Sequence, residues 1–147
     1  LIPNLSEKHT KVNVTSIVVK KGARRMYLFE KQKLVKSYRI GLGSSPVGDK
    51  KVEGDGKTPE GLYYIDRKNP KSRYFLSLGI SYPNSNDIAE AETLGQSPGE
   101  DIFIHGQDRK PNFLKPDWTA GCISLRNYEM REIYQNVKVG TPILIHP

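Results

Sequence analysis

Short runs of β-branched and aromatic residues, punctuated by glycine, proline and charged pairs, confine this chain to a fold built mainly from strands. Val12-Asn13-Val14-Thr15-Ser16-Ile17-Val18-Val19 is β-branched and partly alternating. Arg25–Glu30 and Lys33–Ile40 follow, with the polar pair Lys31-Gln32 between them as a hairpin link that lacks the favoured Asn-Gly. Leu62–Ile65, Tyr74–Leu78 and Asp101–Ile104 read as further strands, and Thr141–Ile145 closes the series. Two short helices are expected. Asn86 or Asp87 is placed to cap Ile88–Leu94 with Gly95 as the stop. Asn127 is placed to cap Tyr128–Val137, where Met130, Ile133, Tyr134 and Val137 recur at i, i+3, i+4, i+7 and make one apolar stripe. Gly41–Gly61, rich in glycine, proline and charge, is a long link of the kind that is either functional or a solvated connector. The pattern predicts a mainly β domain.

Size and composition narrow the function. A chain of 147 residues fits one domain and buries roughly 70% of its unfolded surface, so it needs neither disulfide nor metal to hold a core. The chain is read as a single domain over 1–147, with 1–15 a candidate N-terminal extension. One cysteine excludes an internal disulfide, and with three histidines it is too little for a structural zinc site; His9 and His146 near the ends read as surface residues. No metal and no cofactor are expected: Gly41-Leu42-Gly43 lacks the rest of a dinucleotide fingerprint. The net charge of +7 suits a polyanion or a carboxylate-bearing substrate. The basic clusters Lys20-Lys21, Arg24-Arg25 and Lys50-Lys51 are short and scattered, which argues against nucleic acid. No apolar run approaches the ~20 residues of a membrane span. Residues 1–10 do not read as a signal peptide, and a start at Leu rather than Met suggests a mature or trimmed form.

The chemistry gathers at the lone thiol. Cys122 lies in Trp118-Thr119-Ala120-Gly121-Cys122-Ile123-Ser124-Leu125-Arg126, downstream of Ile102-Phe103-Ile104-His105-Gly106. A cysteine becomes an acyl-transfer nucleophile when an imidazole can take its proton. His105 at a strand end is a rigid base, and Gly106 permits close approach. Gly121 permits a tight turn whose N–H groups at 120–122 are candidate donors to an oxyanion. The competing reading is a small buried cysteine and a satisfied histidine.

In these residues the chain resembles the L,D-transpeptidase catalytic domain, or YkuD family. That family's pattern is a histidine, a spacer, then Ser/Thr-X-Gly-Cys followed by an apolar and a polar residue; here these are His105, Thr119, Gly121, Cys122, Ile123 and Ser124. Glu53-Gly54-Asp55-Gly56-Lys57-Thr58-Pro59-Glu60-Gly61 resembles the family's Gly-Lys/Arg-Thr-Pro-X-Gly stretch, and Asp117-Trp118-Thr119 resembles a stand-alone bacterial subgroup. The likeness runs from about Ser16 to the C-terminus. The spacer 106–118 is slightly short, Ala120 stands where many members carry histidine, and Ser124 where many carry asparagine or arginine.

The resemblance implies a β-sandwich or barrel-like domain with two or more short helices and a cleft holding Cys122 and His105. It implies that Cys122 attacks the bond between the third stem residue of a peptidoglycan tetrapeptide and D-Ala, with His105 as base and then acid, and that the thioester passes to an amine. The Gly106 carbonyl orients the imidazole, N–H groups of Gly121 and Cys122, with Ala120, hold the oxyanion, and Thr119 supports the turn. Ser124, Arg126, Trp118, Tyr82 and Ala120 are the expected substrate contacts, Tyr82 and Trp118 as cleft walls. The thiol is expected to ionise below its ordinary range through His105. Implied partners are peptidoglycan stem peptides, a wall-anchored protein's lysine as alternative acceptor, and carbapenem-type inhibitors acylating Cys122. The implied location is exported, in the periplasm or cell wall. Two alternatives stay open: a hydrolytic L,D-carboxypeptidase or amidase on the same fold, and a non-enzymatic basic wall- or nucleic-acid-binding module.

Overall fold

The structure, a computed structural model, describes residues 12–107 and 117–147. The expected extension falls largely on residues outside this range, as does His9. Eight strands form one sheet: β1 (Ser16–Lys20), β2 (Arg25–Glu30), β3 (Lys33–Arg39), β4 (Gly61–Ser72), β5 (Phe75–Ile80), β6 (Phe103–His105), β7 (Ile123–Ser124) and β8 (Pro142–His146), in the order β3-β2-β1-β8-β4-β5-β6-β7. Among the described residues two helices, α1 (Ser85–Thr93) and α2 (Asn127–Asn136), accompany the sheet. The domain is mainly β, as expected.

Strand alternation builds the first half. Ile17 and Val19 on β1, Met26 and Leu28 on β2, and Ile143 and Ile145 on β8 all point inward and are buried, while their neighbours face out. β1 is shorter than the run from Val12 suggests. Thr15 instead pins the adjoining hairpin: its N–H donates to the Phe29 carbonyl at 2.8 Å, and its hydroxyl accepts from the Lys31 N–H at 2.6 Å. Lys31 sits at φ 56° in the two-residue link, where most chains place asparagine or glycine.

β4 curls the sheet. Its first residues, Gly61–Tyr64, pair with β8, and from Ile65 onward it pairs with β5, with the register shifting between Ile65 and Arg67. It runs past the expected end at Ile65, through Pro70, to Ser72. The opposite edges then meet. Gly41, just beyond β3, exchanges two backbone hydrogen bonds of 3.0 Å with Ser124 of β7. This contact gives the curled sheet its barrel-like closure.

The helices follow the amphipathic pattern but differ at their caps. α2 buries Met130 and Ile133, with Val137 just beyond, and packs on β5. Its N-cap is Arg126 and Asn127 is its first residue, because the Asn127 side chain serves the site instead. α1 starts earlier than expected, at Ser85. Asn84 accepts from the Asp87 N–H, and Asp87 accepts from the Asn84 N–H, both at 2.9 Å. Such a box stabilises a helix by about 1 kcal/mol. Asp87 is therefore a partner three residues into the box rather than the cap, and Tyr63 donates to it at 2.8 Å. Gly95 ends the helix at φ 68°. No helix among the described residues is long and apolar enough to cross a membrane.

Candidate active site

The two chemical groups come together through strand register. β6 lies between β5 and β7, and its parallel pairing with β7 sets Ile104 beside Ile123 and His105 beside Ser124. Ile104 and Ile123 are fully buried in the core. Alternation therefore turns Phe103, His105 and Ser124 to the other face. The same register carried back one residue sets Cys122 beside Phe103, and the Phe103 N–H points at Cys122 Sγ at 3.3 Å. Thiol and imidazole thus leave adjacent strands from one face, two residues apart along β6, with strands spaced about 4.8 Å. Cys122 is only partly buried.

His105 is held on several sides. Its Nδ1 lies 2.6 Å from the Gly106 carbonyl oxygen. A carbonyl can only accept, so this bond puts the proton on Nδ1 and leaves Nε2 as the basic nitrogen. Tyr74 stacks on the ring at 4.6 Å between centroids and 25° between planes, and Trp118 closes another side at 5.6 Å. Gly106 is dictated by crowding: a Cβ there would collide with Asn127 Oδ1 and lie 3.0 Å from the Tyr74 carbonyl oxygen. Asn127 Oδ1 also accepts from the Gln107 N–H at 2.7 Å, fixing the chain just past the imidazole.

The turn into Cys122 is fastened by side chains rather than by a long ladder. The Thr119 hydroxyl accepts from the Gly121 N–H at 3.2 Å and lies 2.9 Å and 2.7 Å from the carbonyls of Leu42 and Cys122, which share its one proton. Thr58, fully buried, donates to the Gly121 carbonyl at 2.8 Å and accepts from the Gly43 N–H at 3.1 Å. Buried Lys21 donates in turn to the Thr58 carbonyl at 2.7 Å. Gly121 sits at φ 141°, and a Cβ on it would lie 2.7 Å from the Lys57 carbonyl oxygen, so both backbone and space require glycine. One turn earlier, Asp117 is gripped by Arg24 Nε and Nη2 and accepts from the Leu42 N–H at 3.0 Å. The Gly41–Gly61 link is thus the clamp under the thiol. Its own hub is Asp55, which accepts from the N–H groups of Lys51, Val52 and Lys57 and pairs with buried Lys50 at 2.9 Å. Burial alone pushes the Asp55 carboxyl up, but these bonds outweigh it and hold it at about 2.

The resting thiol differs from expectation. Burial pushes its pKa up, the Phe103 N–H pulls it down, the Asp101 carboxylate raises it, and the Lys50 ammonium lowers it. The expected depression through His105 is corrected: desolvation of the thiolate dominates. The oxyanion donors also need revision, since the Gly121 N–H is engaged by Thr119 and faces inward. Ala120, exposed at the tip, and Cys122 carry the remaining N–H groups of the turn.

The other expected contacts divide. Trp118 lies against His105 and Tyr74. Ser124 is buried, opposite His105 in the register and bridged to Gly41. Tyr82 is 5% exposed, tilts against Tyr63, and donates its hydroxyl to the Pro98 carbonyl at 2.7 Å, so it is a core ring rather than a cleft wall. Arg126 is not on a strand: β7 ends at Ser124, and the Arg126 N–H begins α2 by donating to Glu129 Oε1 at 3.3 Å. Thr58 and Tyr74 take part in the site although the sequence assigns neither a role in it. The Thr-Pro pair in a glycine-rich stretch was the available signal for Thr58, and Tyr74 left none. Among the described residues no group of His, Cys, Asp and Glu is placed to hold a metal ion.

Comparison with known proteins identifies the family and the fold. The family model for the L,D-transpeptidase catalytic domain, YkuD, matches residues 14–145. The Escherichia coli (strain K12) protein YafK is 33% identical over 110 residues, which cover 74% of this chain and 39% of YafK. The helical cell shape determining protein Pgp2 of Campylobacter jejuni superposes with a TM-score of 0.70 at 31% identity, over 90% of this chain and 47% of Pgp2. A mutant of the Enterococcus faecium L,D-transpeptidase shares the fold, with a TM-score of 0.59 at 18% identity over 91% of this chain and 50% of that one. The chain thus spans about half, or less, of the length of these relatives. The match of model, sequence and fold establishes that this chain belongs to the YkuD family of L,D-transpeptidase catalytic domains.

Proposed function

We propose that this domain is a cysteine-dependent peptidoglycan L,D-transpeptidase acting on tetrapeptide stems. The observation that carries the reading is the one-face placement of Cys122 and His105 on the β6–β7 pair, with Nδ1 bound by the Gly106 carbonyl. Nε2 takes the thiol proton as Sγ attacks the carbonyl that joins the third stem residue to D-Ala. The N–H groups of Cys122 and Ala120 face the oxyanion; one such donor is worth roughly 2.7–4 kcal/mol. Thr119 and Thr58 hold the turn that aims those donors. The imidazolium then protonates the departing D-Ala amine. An incoming amine attacks the thioester, gives a proton to His105, and frees Sγ.

A basic surface fits a substrate rich in carboxylates. A wall substrate places the domain outside the cytoplasm, in the periplasm or wall, with a stem-peptide amine or a wall-protein lysine as acceptor. Carbapenem-type inhibitors acylate Cys122 by the same attack. The test is to incubate purified protein with tetrapeptide, with and without an amine acceptor, and read products by mass. Cross-linked or exchanged product supports the transferase; tripeptide alone assigns a hydrolase; no product and an inert thiol refute the enzyme.

A further inference from the structure

The face that carries the thiol is crossed by two rows of residues. One row is Asn69, Ser77, His105 and Ser124, set side by side on β4, β5, β6 and β7. The other is Arg67, Gly79, Phe103 and, by the same register, Cys122. The second row has a gap where Gly79 has no side chain, and Arg67 fills it. A Cβ on Gly79 would lie 2.5 Å from Arg67 Cγ and 2.8 Å from its Cζ. The arginine therefore lies flat across β5, towards the thiol. Its guanidinium reaches the Phe103 ring, 4.8 Å from the centroid. Nη1 is steadied by Asp66 at 2.8 Å, and Nη2 lies 3.6 Å from Asp101. The side chain remains 45% exposed, so the fork is ordered yet open to solvent.

Position along β6 gives this charge a meaning. His105 stands at one end of the strand and must face the leaving amine. Arg67 stands over Phe103, two residues back, on the side of Asp101, whose carbonyl oxygen lies 3.5 Å from Cys122 Sγ. In the proposed reaction the leaving amine lies toward His105, so the acyl half of the substrate would lie on the side of Arg67. A planar guanidinium with one edge weakly engaged suits a carboxylate.

We propose that Arg67 is a specificity-determining residue that binds a carboxylate on the side chain of the acyl-donor residue, as in a diamino dicarboxylic acid. Gly79 is the device that lets it reach. This inference rests on the transpeptidase reading and refines its substrate. On binding, the substrate carboxylate replaces the long contact to Asp101, while Asp66 and Phe103 keep the plane in place.

The test compares two tetrapeptides that differ only at the third residue, diaminopimelate or lysine. Binding is measured by calorimetry to Cys122→Ala protein, which cannot turn over, and kcat/KM is measured on wild type. The diaminopimelate peptide is expected to bind at least ~10-fold more tightly, as a charge-assisted hydrogen bond allows. Adding Arg67→Gln abolishes the preference and leaves the lysine peptide unchanged; Arg67→Lys restores part of it. Equal weakening of both peptides shows that Arg67 reads a carboxylate they share and overturns the proposal. So does a wild type with no preference, even if both peptides are turned over, which leaves the transpeptidase reading standing. If neither peptide binds or reacts, both readings fall together.

Discussion

The β1–β2–β8 half and the β5–β6–β7 half of the sheet are built on different principles. In the first, strands of five or six residues alternate cleanly, and Ile17, Val19, Met26, Leu28, Ile143 and Ile145 supply an apolar core. In the second, β6 has three residues and β7 two, and polar Ser77, His105 and Ser124 are each 3% exposed. So short a ladder cannot fix its own geometry. Thr58, Thr119, Asp117 and Asn127 do so by bonding backbone groups far away in sequence. The first half holds its stability in buried area and the second its precision in hydrogen bonds. Damage to the first is expected to lower stability at unchanged chemistry, and damage to the second to lower turnover, with a stability loss only where a buried polar group is left without its partner.

The sharpest contrast pairs Cys122→Ala with Ile17→Ala. Cys122→Ala is expected to abolish turnover with melting and circular dichroism unchanged. Ile17→Ala is expected to cost about 2–5 kcal/mol in urea unfolding while each folded molecule keeps its kcat. Activity in the first or a kcat collapse in the second breaks the division. Gly106→Ala comes next. Its new Cβ displaces either Asn127 or the carbonyl that holds Nδ1. A misplaced base costs on the order of 10²-fold in kcat, with KM little changed. Thr58→Val follows, with an expected ~10-fold fall in kcat and about 1–3 kcal/mol of stability from the orphaned Gly121 carbonyl and Gly43 N–H; Thr58→Ser is expected to rescue both. Asp101→Asn has the smallest effect. The Asp101 charge raises the thiol pKa, so neutralising it lowers that pKa, and iodoacetamide alkylation of Cys122 begins at lower pH. Asparagine tolerates the φ of 63° at that position. An unmoved or upward-shifted profile contradicts the assigned electrostatics.

What could be read from the sequence divides along the same line. The first half was legible because alternation in Arg25–Glu30 and Thr141–Ile145 is local and has one interpretation. The α2 stripe was legible for the same reason, and the Cys–His motif pointed to the thiol. The second half was less so. β7 is too short to carry a period, and the caps shifted because Asp87 and Asn127 found partners in the folded chain. Tyr82 looked like an available aromatic until Pro98 took its hydroxyl. Arg67 drew no attention beside Asp66, since only pairing across Gly79 brings it toward Cys122. A raised thiol pKa follows from burial, which a motif does not encode.

Trapping the acyl-enzyme bears most directly on the partnership between sulfur and imidazole. Protein quenched in acid within the first turnover with tetrapeptide, then digested and analysed by mass spectrometry, is expected to carry the tripeptidyl group as a thioester on Cys122. The adduct should be strongly reduced in His105→Ala and absent in Cys122→Ala. Consumption of tetrapeptide with Cys122 unmodified, or an adduct that forms equally fast without His105, contradicts the account.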